Sequence, residues 1–241
     1  MARVMLRLVV AAGLALAATP AMAQTLGHQR AICSNQGGSY DAEAQINACT
    51  SVIQLGAVNA QALALAFNNR GNAYRSQGHL DRALADYDQA IAFDPNYANA
   101  YNNRGITYRA QRDLDHAIAD YDRAVQLDPG LASAFNNRGT AHVDRGELEQ
   151  AIADYDQAIR LAPRNAHAYA NRGNAHRTRG EFELAIADYN QAIAINPDYA
   201  GAYNNRGKAY RSMGDMERAM PDFERARALE PNNPAYQGFG L

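Results

Sequence analysis

A repeat period of 34 residues constrains the fold of this chain more than any other feature. The tetrad Asn68-Asn69-Arg70-Gly71 returns four times at this spacing, as Asn102-Asn103-Arg104-Gly105, Asn136-Asn137-Arg138-Gly139, Ala170-Asn171-Arg172-Gly173 and Asn204-Asn205-Arg206-Gly207. A fixed period of this length is typical of stacked helical repeats, in which each unit buries its apolar face only against its neighbours. We therefore expect an elongated array of helices rather than an enzyme built around a single core.

Seven further positions recur with the tetrad. Phe67, Gly71, Tyr74, Ala83, Tyr87, Ala90 and Pro95 of the first copy become Tyr101, Gly105, Tyr108, Ala117, Tyr121, Ala124 and Pro129 in the next. This set resembles the tetratricopeptide repeat (TPR) family, with five full copies at 64–97, 98–131, 132–165, 166–199 and 200–233. The resemblance implies an all-α TPR solenoid, a right-handed superhelix of antiparallel helix pairs. It also implies a protein-binding role.

The segments outside the repeats have separate interpretations. Residues 1–23 combine Arg3 and Arg7 with an apolar stretch and a small-residue cleavage site, which predicts a signal peptide cut between Ala23 and Gln24. The apolar stretch is too short to favour a membrane anchor. We expect a bacterial protein that is periplasmic or secreted. Residues 234–241 form a C-terminal tail.

Residues 24–63 contain both cysteines. In an oxidising compartment Cys33 and Cys49 predict a disulfide, since neither a Cys-x-x-Cys spacing nor an adjacent histidine favours a redox or metal pair. Asp41 is placed to cap a helix running to about Leu55, with Cys49 where Tyr87 stands in the first repeat. We interpret 24–63 as a degenerate half-repeat that caps the array and is stapled by the disulfide.

Each repeat carries one arginine and one aspartate inside its packing stripe. These charges predict an ion pair between the two helices, because an unpaired buried charge is costly. The pairs are Arg70 with Asp86, Arg104 with Asp120, Arg138 with Asp154, Arg172 with Asp188 and Arg206 with Asp222. We expect their role to be structural.

Turn residues also recur, with informative exceptions. Gly78, Gly146, Gly180 and Gly214 predict tight turns between paired helices, whereas Arg112 replaces glycine in the second copy. Prolines end each second helix. In the last copy Pro221 predicts an interrupted second helix. Two alternatives remain for the tail: either Tyr236 and Phe239 fold back over the end of the array, or the end stays open for another subunit.

Catalytic and cofactor chemistry finds no support in the sequence. No phosphate loop, nucleophile elbow or His-Glu-x-x-His motif is present, so we expect no enzymatic activity, no cofactor and no metal. His142, His167 and His176 lack a completing carboxylate or thiolate at a recognisable spacing. A net charge of −2, or about −4 without Arg3 and Arg7, predicts neither nucleic-acid binding nor membrane insertion.

The candidate binding residues lie on the first helix of each repeat. Residues four and seven positions apart share a helix face, and in TPR proteins that face lines the concave groove. The predicted groove contains Asn68, Asn72 and Arg75; Asn102 and Arg109; Asn136; Asn174 and Arg177; and Asn204, Lys208 and Arg211. A second row consists of Asn69, Asn103, Asn137, Asn171 and Asn205.

A row of asparagines is suited to an extended peptide, because each amide both donates and accepts hydrogen bonds. The row is similar to the ladder in TPR domains of the glycosyltransferase that acts on serine and threonine hydroxyls. TPR domains that clamp a C-terminal carboxylate are less similar, since Asn72 and Asn103 match but Asn68, Ser133 and Asn137 replace the basic residues. The arginines favour acidic segments. Two alternatives remain: a structural adaptor that self-associates through its C-terminal end, and a module that binds cell-wall glycan.

Overall fold

The computed structural model describes residues 20–35, 37–55 and 59–237, with side chains from residue 24 onward. This part of the chain holds twelve α-helices and one 3-10 turn, and it contains no strand. The helices are α1 (Pro20–Ser34), α2 (Ala42–Gln54), α3 (Ala60–Ser76), α4 (Leu80–Phe93), α5 (Ala98–Ala110), α6 (Leu114–Leu127), α7 (Ala132–Arg145), α8 (Leu148–Leu161), α9 (Ala166–Thr178), α10 (Phe182–Ile195), α11 (Ala200–Ser212) and α12 (Met216–Leu229). The predicted all-α repeat array is confirmed. No helix among these residues has the length and apolar character needed to cross a bilayer.

Consecutive helices pack as pairs, and the pairs stack in chain order. Each second helix also contacts the first helix of the next pair, as α4 contacts α5 and α6 contacts α7. First helices of neighbouring pairs touch one another, from α1 with α3 through to α9 with α11. A stack in which the first helices lie closest together curves toward them. We call their exposed side the inner surface.

Within each pair, a glycine on the first helix lies against an aromatic ring on the second. A Cβ added at Gly139 would lie 2.9 Å from Tyr155 Cε1 and 3.1 Å from the Ala151 carbonyl oxygen. The tyrosine ring is buried, with 1% of its surface exposed. The same contact recurs in all five repeats, with Phe223 in place of tyrosine in the last. The small residue therefore permits the close helix approach that the sequence predicted.

The turns between paired helices use left-handed backbone, as expected from their glycines. Gly78, Gly146, Gly180 and Gly214 have φ of 78–82°, and Arg112 adopts the same region with φ 66°. One expectation was wrong: Pro221 does not interrupt the last second helix, because α12 runs unbroken from Met216 to Leu229. Proline removes a single helical hydrogen bond there, while burial of Ala219, Phe223 and Ala226 holds the helix in place.

The N-terminal segment contains both helices of a pair, where a half-repeat was expected. A disulfide joins Cys33 on α1 to Cys49 on α2, which confirms the predicted bond, and 16 positions separate the two cysteines. Gly71 and Tyr87 are the same distance apart, so the disulfide takes the place of the glycine–ring contact. Asp41 caps α2 through the Ala44 backbone N–H, as predicted. Helix α1 spans the predicted cleavage point, and most of the predicted signal peptide lies outside the described residues.

The C-terminal end is partly covered by the tail. Tyr236, in the 3-10 turn Pro234–Tyr236, is 8% exposed and packs with Ala200 and Ala226 beside Tyr203 and Leu229. The first of the two alternatives for the tail therefore holds for Tyr236. Phe239 lies outside the described residues.

Candidate functional site

The predicted Arg–Asp ion pair is present in every repeat. In the third repeat, Arg138 Nε and Nη2 donate to the two carboxylate oxygens of Asp154 at 2.9 and 2.6 Å. This bidentate hydrogen bonding raises the pKa of Arg138. The arginine also lies over the ring of Phe135, 5.4 Å from its centroid. The Arg138 guanidinium is thus held between a carboxylate and an aromatic ring, as expected for a structural role.

The same arginines also connect neighbouring repeats, which the sequence analysis did not predict. Arg138 Nη1 donates to Asp122 of the preceding repeat at 2.7 Å, and Arg104 Nη1 donates to Asp88 at 2.6 Å. At the two ends of the array the acceptor changes to Thr50 for Arg70 and to Asn190 for Arg206. The signal was available, because each of these acceptors except Thr50 lies 16 positions before its arginine, just as Asp154 lies 16 positions after Arg138.

The first row of predicted groove asparagines lies largely inside the array. Asn68, Asn102 and Asn204 are 4%, 5% and 4% exposed, and only Asn136 is half-buried. The oxygens of Asn68, Asn102 and Asn136 accept from the second row of the next repeat, as Asn103 Nδ2 donates to Asn68 Oδ1 at 2.9 Å. Asn204 differs, because its Nδ2 donates to Asn205 of the same repeat and its buried oxygen has no hydrogen-bond partner among the described residues. We correct the expectation for the three buried residues, because the first helices pack too closely to leave them open. The amides of Asn68 and Asn102 hold neighbouring repeats together instead.

The second row keeps hydrogen-bonding capacity on the inner surface. Its members are all half-buried: Asn69, Asn103, Asn137, Asn171 and Asn205. Asn137 and Asn171 donate to Asn102 and Asn136 at 3.0 and 3.1 Å, and Asn205 donates to Asn174 at 2.9 Å because Ala170 offers no acceptor. Each of these amides has a second N–H, and no hydrogen bond within the described residues occupies the oxygen of Asn103, Asn137 or Asn171.

A third row of polar residues, Asn72, Thr140 and Asn174, lies one turn further along the first helices. These residues accept hydrogen bonds from the hydroxyls of the buried tyrosine rings. The Tyr87 and Tyr189 hydroxyls donate to Asn72 and Asn174 at 2.8 Å, and the Tyr155 hydroxyl donates to Thr140 at 3.2 Å. Burial raises the pKa of Tyr155 to about 12. Asn72 and Asn174 therefore reach the inner surface with their oxygens already occupied.

The predicted cationic residues of the groove differ in their contacts and in their exposure. Arg109 is half-buried and paired with Asp144 of the next repeat, Nε to Oδ2 at 2.6 Å. Arg75 and Arg177 are also half-buried, but their Nε atoms are fully enclosed and have no hydrogen-bond partner among the residues that the structure describes. Lys208 is half-buried, and Arg211 is exposed with its guanidinium 5.7 Å from the Phe223 ring centroid. The inner surface is thus richer in positive than in negative side chains.

Two of the three candidate histidines contact the turn that joins the helices of their own pair. His142 Nδ1 lies 2.6 Å from Glu147 Oε2, and His176 Nδ1 lies 2.7 Å from Glu181 Oε2. His167 lies against Tyr199, with its Nδ1 3.1 Å from the hydroxyl. Within the described ranges no three histidine, cysteine or acidic side chains cluster closely enough to hold a metal ion.

Comparison with known proteins identifies the repeat. A profile described as TPR repeat matches residues 71–111, 139–178 and 173–214. A second profile, described as tetratricopeptide repeat, matches residues 98–131 and 200–233. Together these matches span more than half of the chain. Among curated proteins, none matches at a significant level.

Solved structures agree with this assignment. A crystal structure of MamA is 30% identical, covering 67% of this chain and 94% of that chain, with a TM-score of 0.60. YrrB, described as a TPR protein with an unusual peptide-binding site, is 23% identical over 79% of this chain and 96% of its own, with a TM-score of 0.60. PilF of Pseudomonas aeruginosa is 17% identical over 90% of this chain and 97% of its own, with a TM-score of 0.74.

Proposed function

Because this chain belongs to the tetratricopeptide repeat family, we propose that it is a non-enzymatic adaptor that binds an extended peptide segment along its inner surface. Proteins of this family bind other proteins or peptides. The observation that carries the proposal is the half-buried second row of asparagines, which continues through all five repeats. Four of the five amides, all but that of Asn69, are already fixed on one side by the preceding repeat, so binding a ligand costs little further side-chain entropy.

The geometry of the second row suits an extended backbone. A peptide in this conformation presents alternating N–H and C=O groups whatever its side chains, and an asparagine amide can pair with either. The free oxygens of Asn103, Asn137 and Asn171 accept from ligand N–H groups, and their second N–H groups donate to carbonyls. The description of YrrB as a peptide-binding TPR protein supports the same role.

Photocrosslinking tests this proposal. A photoreactive residue at Ser133 lies on the inner side of α7, four positions before Asn137, and the matched control at Gln126 lies on α6; both positions are exposed. Peptides enriched from a random, unstructured library should crosslink at Ser133 and compete with the cellular partner captured there. Equal crosslinking at both positions, or crosslinking only at Gln126, would contradict binding along the inner surface.

We also propose that the protein works in the bacterial periplasm or is secreted after cleavage between Ala23 and Gln24. The disulfide between Cys33 and Cys49 supports this location, because such bonds persist in oxidising compartments. Mass spectrometry of the protein recovered from a periplasmic extract should find Gln24 as the first residue. Recovery of the uncut chain from the cytoplasm would contradict the location without affecting the peptide-binding proposal.

A further inference from the structure

The last two repeats bring three cations together on the inner surface. Asn205 Nδ2 donates to Asn174 Oδ1 at 2.9 Å and so ties α11 to α9. Arg177 and Lys208 each follow one of these asparagines by three residues, which places them on the next turn of adjacent helices, on the same side. Arg211 lies one turn further along α11. Burial, together with the charges of Arg177 and Arg211, lowers the pKa of Lys208.

The array itself shows what an arginine at this position binds. Arg109 occupies the same repeat position as Arg177, and it pairs with Asp144, which lies 35 residues later on the next first helix. The residue 35 positions after Arg177 is Ser212, whose hydroxyl donates to the Lys208 carbonyl at 3.0 Å. Arg177 therefore lacks the internal carboxylate that Arg109 has. No carboxylate of the described residues lies within ion-pair distance of Arg177 or Lys208.

The groups around these cations also favour an anion. Asn174 Oδ1 already accepts from both Tyr189 and Asn205, so the part of this amide left for a ligand is its Nδ2 donor. In the last repeat Phe223 stands in place of tyrosine. Lys208 therefore has no tyrosine hydroxyl beside it, whereas Asn174 accepts from the Tyr189 hydroxyl. Positive charge and the Asn174 donor therefore converge here, while the Asn174 oxygen is occupied.

We propose that Arg177, Lys208 and Arg211 form a carboxylate-binding subsite between α9 and α11, which receives an acidic side chain of the bound peptide. This inference rests on the proposed function and specifies the chemistry of its ligand at one end of the inner surface. In this subsite the ligand carboxylate pairs with Arg177 in the way that Asp144 pairs with Arg109.

Fluorescence anisotropy with three labelled hexapeptides tests the subsite. N-acetylated, C-amidated hexaglutamate should bind, whereas the matched hexaglutamine amide should bind at least tenfold more weakly. Hexaglutamine with a free C-terminus separates a side-chain carboxylate from a terminal one, and its binding as tightly as hexaglutamate would overturn the assignment to a side chain. Affinity for hexaglutamate should fall as NaCl is raised from 50 to 200 mM, because opposite charges are screened.

Two variants locate the binding. Lys208→Gln/Arg211→Gln should weaken hexaglutamate binding at least tenfold, while Arg160→Gln, which removes an exposed cation from α8, should leave it unchanged. Ser212→Asp supplies the missing carboxylate from within the chain and should block hexaglutamate as strongly without removing a cation. Hexaglutamate binding that is equal in the parent and in both site variants would overturn the subsite.

Lys208 is the only lysine in the chain, which gives a direct readout in the unmutated protein. Reductive methylation with ¹³C-formaldehyde yields one lysine NMR signal, separate from that of the α-amino group. Hexaglutamate should shift this signal, and hexaglutamine amide should not. Binding of neither hexapeptide would overturn the subsite, and crosslinking at Ser133 then decides the proposed function separately.

Discussion

At the residue scale, the most informative position is the one that departs from its own repeat. Arg112 stands where the other four repeats have glycine, yet its backbone adopts the same left-handed conformation, with φ 66°. A side chain in this region crowds the following carbonyl, whereas glycine has no Cβ to crowd it. The turn geometry is imposed by the packing of α5 against α6, and Arg112 is strained to fit it.

Arg112→Gly should therefore stabilise the protein by about 1 kcal/mol, because it relieves this strain. The measurement is the denaturant midpoint followed by circular dichroism. The reverse substitution at an equivalent turn, Gly146→Arg, is the matched control and should destabilise by a similar amount. A lower midpoint for Arg112→Gly would contradict the strain.

Buried tyrosines predict a loss of stability at alkaline pH. The usual tyrosine pKa is 10.0, but burial raises that of Tyr155 to about 12 in the folded protein. Between these values the unfolded chain has released a proton that the folded chain still holds, so stability falls as pH rises from 10 to 12. Tyr189 behaves alike, with a pKa raised to about 12.

Tyr155→Phe should remove part of this alkaline loss, up to about 2 kcal/mol at pH 12. At pH 7 it should change stability by no more than about 1 kcal/mol, because only the hydrogen bond to Thr140 is lost. Phe223 already fills the equivalent site in the last repeat. The control is the exposed Tyr40→Phe, whose pH profile should match that of the parent. Denaturant titrations at pH 8 and pH 11.5 compare them.

At the scale of helices, one arginine in each repeat secures two interfaces. Arg138 on α7 binds Asp154 on α8 within its own pair and Asp122 on α6 of the preceding pair. The predicted ion pair explains only the first contact. The second arises because stacking brings the preceding second helix alongside the next first helix, a contact between separate repeats.

Arg138→Met should destabilise the array by about 2–4 kcal/mol, because it removes the bidentate arginine partner of the buried Asp154 carboxylate. The value is below that for a fully buried pair, since about a fifth of the arginine side chain is exposed. Adding Asp154→Leu should recover most of the loss. Arg160→Met on the exposed side of α8 serves as the control. Thermal melting that is no lower for Arg138→Met than for the parent would contradict a structural role for the pair.

At the scale of the whole molecule, stability depends on how the array begins and ends. The first pair has no neighbour before it within the described residues, and it carries Ile32 and Ala48 where later pairs carry arginine and aspartate. The disulfide supplies a covalent link in place of those contacts. At the other end, Tyr236 covers part of the face of α11 and α12, which weighs against self-association through that face.

Reducing the disulfide should loosen α1 and α2 before the rest of the array. For a loop of this length the bond contributes about 3 kcal/mol on the chain-entropy model. Amide hydrogen exchange in α2 should accelerate in the Cys33→Ser/Cys49→Ser variant, while α9 and α10 keep their protection, because repeats contact only their neighbours. Uniform acceleration along the chain would show instead that the array unfolds as one unit.

The sequence by itself determined the helices, their pairing, the disulfide, the ion pairs and the turns, because each depends on contacts that recur at a fixed spacing within one repeat. Contacts between repeats were decided only by the tertiary structure. Stacking enclosed Asn68, Asn102 and Asn204 while it left the second row half-exposed, and helix periodicity cannot distinguish these two adjacent rows. Stacking also paired Arg109 with Asp144 of the next first helix, a contact 35 positions apart that a pattern read within one repeat does not reveal, and Ser212 stands at the corresponding position for Arg177.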